Sequence, residues 1–125
     1  MSVAAPLRST VVDVDLDALA ANLVALKQRG GAEVIAVVKD DAYGHGVEAV
    51  SETLVEAGAV MLAVFTVEEA VVIRRAGIAA SVLVLAGASD RAEVEAAVAA
   101  DCSLVVWDVE RARLYDEVEI GRAHV

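Results

Sequence analysis

The chemistry in this chain concentrates at Val37-Val38-Lys39-Asp40-Asp41-Ala42-Tyr43-Gly44-His45-Gly46, where an apolar run closes on a lysine and two glycines bracket a histidine. A lysine whose stem lies among apolar neighbours is penalised less for being neutral, and a neutral amine is a nucleophile toward an aldehyde. The plainer reading of Lys39 is a surface ion pair with Asp40 or Asp41, a contact worth little. Tyr43 adds a hydroxyl one short turn beyond the lysine. His45, held between glycines, suits packing and hydrogen bonds that fix the turn better than it suits catalysis. Cys102 is the single cysteine, so no internal disulfide can form, and it has no metal-type spacing with either histidine. It reads as a buried small hydrophobe, and no metal site is expected.

A lysine at the end of a strand needs a scaffold that aims it. Val11 to Val14 read as a short β-type run, and Asp15 can cap a helix carrying Leu16, Leu19, Leu23 and Leu26 on one stripe, ended by Gly30 and Gly31. Val34 to Val38 then form a continuous apolar run of the kind found in covered parallel strands. A helix follows with Val47, Val50 and Leu54 facing inward. Val60 to Phe65 predict the next strand, and Thr66 with Glu69 make a capping box for a helix closing near Gly77. Val82 to Leu85 predict a third strand, with a helix from about Asp90 through Ala100. Ser103 to Trp107 predict a fourth, and Asp108 can cap a last helix through Leu114. Four βα units in a row point to parallel strands joined by right-handed crossovers. Either half of an eight-unit barrel or a small doubly wound sheet satisfies that pattern, and in the barrel the chemistry gathers at the C-terminal ends of the strands.

Composition excludes other classes. With 125 residues, 58% of them hydrophobic and only 3% aromatic, the chain can bury a core of many small side chains. A formal charge of −10 with no Lys or Arg cluster argues against a nucleic-acid surface. No apolar run approaches the ~20 residues of a membrane span, and no basic, then apolar leader opens the chain, so the cytoplasm is the expected location.

The run from Lys39 resembles the signature of alanine racemases, in which the cofactor lysine is followed by Asn or Asp, a small residue and Tyr-Gly-His-Gly. Matching Lys39, Ala42, Tyr43, Gly44, His45 and Gly46 together by chance is on the order of one in a million or rarer at ordinary residue frequencies. The resemblance extends through Val14-Asp15-Leu16-Asp17-Ala18-Leu19, Glu68-Glu69-Ala70, Arg74, Ala76-Gly77-Ile78 and Val82-Leu83-Val84-Leu85, over nearly all of positions 11 to 116. It implies an α/β fold that is part of a (β/α)8 TIM-type barrel, with about four βα units preceded by a short strand and helix. It also implies an isomerase interconverting L- and D-alanine for cell-wall peptidoglycan. Lys39 would hold pyridoxal 5'-phosphate as an internal aldimine and serve as base on one face of the substrate. Tyr43 would place its hydroxyl on the cofactor phosphate, and Leu85 would line the pocket near the ring, although a buried strand leucine is as good a reading. The opposing base in the family is a tyrosine from the C-terminal domain of the partner subunit of a homodimer. Most of the phosphate cup and the arginines facing the pyridine nitrogen and substrate carboxylate also come from later segments. Another barrel racemase or decarboxylase using the same cofactor, or a partial domain inactive by itself, are the competing readings.

One position departs from the family, which usually has Ala in the place of Asp40. If the strand runs on, Asp40 points away from Lys39 and is tolerated.

Residues 119–125, Glu-Ile-Gly-Arg-Ala-His-Val, show no periodicity. The nucleotides GAG ATC GGA AGA GCA CAC GTC encode them, a string that from its second base matches a common sequencing adapter. The expected organisation is therefore an irregular 1–10, a partial barrel domain over 11–118 and an artefactual tail over 119–125.

Overall fold

The computed structural model describes residues 7–123. Helix α1 (Leu16–Gly30) leads into β1 (Ile35–Val37), a short turn α2 (Lys39–Tyr43) and α3 (Val47–Glu56). Then come β2 (Met61–Val64), α4 (Val67–Arg75), β3 (Val82–Val84), α5 (Arg91–Ala99), β4 (Ser103–Leu104) and α6 (Val109–Ala123). The strands make one parallel sheet in the order β1-β2-β3-β4, with Val37, Ala63, Leu83 and Ser103 in one row. Strand order equal to chain order means that every crossover steps the same way.

Burial decides between the two architectures left open by the pattern. Ala36, Val38, Leu62, Val64, Val82 and Val84 are buried in the main core together with Leu23, Val50, Leu54, Ala70 and Ile73 from the helices. The alternate residues Ile35 and Val37 are 49% and 43% exposed. The helices thus pack on one face of the sheet, while the other carries exposed Ile35 and Val37, half-buried Met61 and Leu83 and, buried among them, only the small Ala63, which is the layering of a barrel wall rather than of a doubly wound sheet.

The predicted caps are present. Asp15 accepts from the Ala18 N–H and Asp108 from Arg111, and Thr66 with Glu69 closes a full capping box; Asp90, expected only to lie near a helix start, also caps by accepting from Glu93. Other expectations need correction. Among the described residues Val11 to Val14 pair with no strand, and Val11 and Val12 are exposed, because a β-type run without a neighbour has nowhere to place its ladder bonds. Leu26 is exposed, while Leu23 is buried in the main core and Leu16 and Leu19 pack against it. The fourth strand stops at Leu104, and Val106 and Trp107 lie exposed beyond it. Helix α6 does not end at Leu114 but continues to Ala123, so positions 119–123 of the segment set aside as a tail are helical. Extending a formed helix fixes one residue per added bond, and no proline stops it here. His124 and Val125 lie outside the described residues.

Arg74 ties the far end of this wall together. Its guanidinium donates to the carbonyls of Ala100 (2.7 Å), Ile78 (2.8 Å), Ala80 (2.7 Å) and Asp101 (3.0 Å), which end α5 and lead into β3 and β4. Arg74→Met keeps the aliphatic stem and strands these acceptors, so the unfolding free energy should fall by about 2–4 kcal/mol. A urea midpoint within error of the parent would show that water replaces the guanidinium at no loss. Cys102 packs against the core nearby, and burial pushes its thiol up from the usual range; Arg74 opposes that shift and Asp101 adds to it.

Candidate active site

Strand support reaches Val38, whose N–H donates to Ala63 O at 2.9 Å, and then the backbone changes hand. Asp40, Asp41, Ala42 and Tyr43 have φ of 53°, 56°, 54° and 57°, one turn of left-handed helix. Each non-glycine residue in that region costs about 1–2 kcal/mol, less for Asp, so the turn must be held from outside. Ala42 N–H bonds back to Val38 O, Gly44 N–H to Asp40 O and Gly46 N–H to Asp41 O. The Asp41 carboxylate accepts from Val47 N–H at 2.8 Å and so caps α3. His45 Nδ1 lies 3.0 Å from Ala42 O and 3.2 Å from Tyr43 O, where a protonated Nδ1 donates to the turn's carbonyls. Glycine is needed at both ends, since Gly44 and Gly46 have φ of 84° and 94°.

This corrects the strand-based account of Asp40. Lys39 opens a left-handed turn rather than closing β1, so strand alternation does not orient Asp40. Its carboxylate instead stands 3.5 Å from Lys39 Nζ, the ion pair of the plainer reading, with the two side chains 36% and 69% exposed. An ion pair this open contributes at most about 1 kcal/mol and leaves the amine reachable. Tyr43 is exposed, and its ring centroid lies 5.7 Å from Lys39 Nζ. The turn therefore brings together two of the three candidate residues. Leu85 follows β3, donates its N–H to Val64 O and is 37% exposed. Two residues beyond Leu83, it belongs to the sheet face that carries Val37 and Ala63, and it joins Lys39 only at that level.

One participant was missed. Glu69, visible in the sequence only as half of a capping box, also accepts the Asp40 N–H at 2.6 Å across 29 residues. Its spacing to Thr66 gives no sign of that second partner.

Residues 14–124 match the family profile described as alanine racemase, N-terminal domain. The chain belongs to this family. It is 38% identical to an alanine racemase of Clostridium tetani over 115 residues, which is 91% of this chain and 30% of that protein. An alanine racemase of Symbiobacterium thermophilum is 42% identical over 105 residues, covering 83% of this chain and 28% of the other. Among solved structures, the alanine racemase of Bacillus anthracis with bound L-Ala-P is 40% identical, with a TM-score of 0.76 over 86% of this chain and 28% of that one. The chain thus spans under a third of the length of these alanine racemases. The profile match runs on through the segment from 119 to 124.

Proposed function

We propose that this portion of an alanine racemase barrel supplies the lysine that carries pyridoxal 5'-phosphate, in a protein that interconverts L- and D-alanine. The observation that carries the reading is the left-handed turn, which sets a reachable primary amine and a tyrosine side chain side by side just past the C-terminal end of β1. The donor set fits a phosphorylated aldehyde. Lys39 offers the amine, Tyr43 a hydroxyl for a phosphate oxygen, and Leu85 an apolar surface on the same sheet face. When bound, the cofactor supplies an electron sink that makes the substrate's α-hydrogen acidic.

The chain's own residues have three tasks. Lys39 Nζ would hold the cofactor by its aldehyde, and the same amine would take or give a proton at the substrate's α-carbon on one face. Tyr43 anchors the phosphate, so that the amine and the aldehyde meet repeatedly in one orientation. Asp40 provides a nearby acceptor for the ammonium form of Lys39. Racemisation needs a second base on the opposite face, and the family places it on a partner subunit's C-terminal domain. The activity therefore belongs to a homodimer of the longer protein, with alanine as its small-molecule substrate.

Lys27 and Lys39 are the only lysines in the chain, which makes the test ratiometric. With pyridoxal phosphate followed by borohydride, the label should fall mainly on Lys39, and Tyr43→Phe should weaken cofactor binding by about 1–2 kcal/mol. Equal labelling of Lys27 and Lys39 would overturn the assignment of the lysine, and unchanged affinity in the variant would overturn the role of the tyrosine.

A further inference from the structure

We propose that Glu69 is a positioning residue for Lys39, acting through the Asp40 amide; the inference rests on the reading of Lys39 as the cofactor lysine. Glu69 lies in the first turn of α4, partly buried. Its Oε1 accepts the N–H groups of Phe65 and Thr66, each at 3.0 Å, which secures the β2 to α4 connection. A capping box needs no more than that oxygen. The second oxygen, Oε2, reaches outside the box to the Asp40 N–H at 2.6 Å.

That bond falls at a sensitive place. The sheet ladder holds the chain through the Val38 N–H, and left-handed backbone begins at Asp40. Between these points lies Lys39. The Asp40 N–H belongs to the peptide plane that follows the lysine, so fixing it sets the Lys39 ψ and the Asp40 φ together, and with them the root of the lysine side chain. Charge-assisted bonds are shorter and stronger than neutral ones, and a carboxylate taking three backbone donors is well satisfied. The α2 turn, with its unfavourable handedness, is thereby bolted to the neighbouring βα unit rather than supported by its own contacts alone. Because Glu69 makes no hydrogen bond or ion pair with Lys39 or Tyr43 among the described residues, its effect on cofactor capture passes through the backbone.

Glu69→Gln separates this role from helix capping. An amide has one acceptor oxygen, and keeping it on the two donors Phe65 and Thr66 turns the NH2 group against the Asp40 N–H, so the cap survives and the bolt is lost. The experiment uses the intact chain with pyridoxal phosphate as probe. It reads the ratio of borohydride-trapped label on Lys39 to that on Lys27, hydrogen exchange at the Asp40 amide, and the melting midpoint. In Glu69→Gln, exchange at Asp40 should rise on the order of tenfold. The Lys39 to Lys27 ratio should fall roughly threefold or more as the amine loses its preorganised root, with the midpoint near that of the parent. Faster exchange with an unchanged ratio would overturn the proposal, and so would unchanged exchange. A parent chain labelled equally on both lysines would instead overturn the assignment of Lys39, an outcome read before any variant is made.

Discussion

Lys39→Ala is expected to reduce borohydride-stable capture of pyridoxal phosphate by this chain to the low background carried by Lys27, while leaving its fold in place. The chemical effect at the turn is large because no other side chain near it is a primary amine; the remaining lysine, Lys27, pairs with Glu33 at 3.3 Å on a different element. The structural effect is small because Lys39 is partly exposed and its ion pair with Asp40 contributes at most about 1 kcal/mol. Those two magnitudes make the variant informative, since loss of label cannot be blamed on unfolding. Mapping the phosphopyridoxyl peptide in Lys39→Ala, with Lys27→Ala alongside, checks it. Label at the parent level in Lys39→Ala would mean that the turn is not the cofactor's anchor.

Gly87→Ala should be the most damaging single methyl that can be added to the sheet's C-terminal loops. Gly87 has φ of +66°, and a Cβ built there would lie 2.4 Å from Val105 O, 2.6 Å from Trp107 Cζ3 and 2.8 Å from the Tyr115 hydroxyl oxygen. The carbonyl cannot easily retreat, because the Val105 N–H is bonded to Val84 O across the β3 to β4 junction. The hydroxyl is fixed as well, accepting from Ala88 N–H at 2.8 Å and donating to Ala88 O at 3.0 Å. Left-handed strain and overpacking each cost about 1–3 kcal/mol, so a combined loss of roughly 3–5 kcal/mol is expected. Gly77→Ala is the control, having φ of +82° with open space around the new methyl. Chemical denaturation of the two variants isolates the clash, and equal midpoints would show that the β3 to α5 loop yields without penalty.

The alternation of strands and helices was legible because it depends on local signals: apolar runs for Val82 to Leu85, and caps at Asp15, Thr66 and Asp108 that hydrogen-bond as their spacing predicts. Lys39 and Tyr43 were legible because their residue types sit in a distinctive run. The left-handed turn was not, since Asp40, Asp41, Ala42 and Tyr43 carry no glycine to signal positive φ, and what holds them there includes a carboxylate from 29 residues away. The failed strand at Val11 to Val14 has the same origin, a local preference without the partner that would realise it. Gly87 likewise has no local sign of its crowding, which comes from Val105, Trp107 and Tyr115, much later in the chain.

The handedness of the turn also inverts the usual rules of substitution for the lysine's neighbours. Across positions 40 to 43 a randomised library should admit Gly, Asn and Asp most readily and exclude Val, Ile and Thr, even though the segment lies directly beyond an apolar strand. Position 40, where the family resemblance leads one to expect alanine, is then occupied by a side chain at greater ease with that backbone.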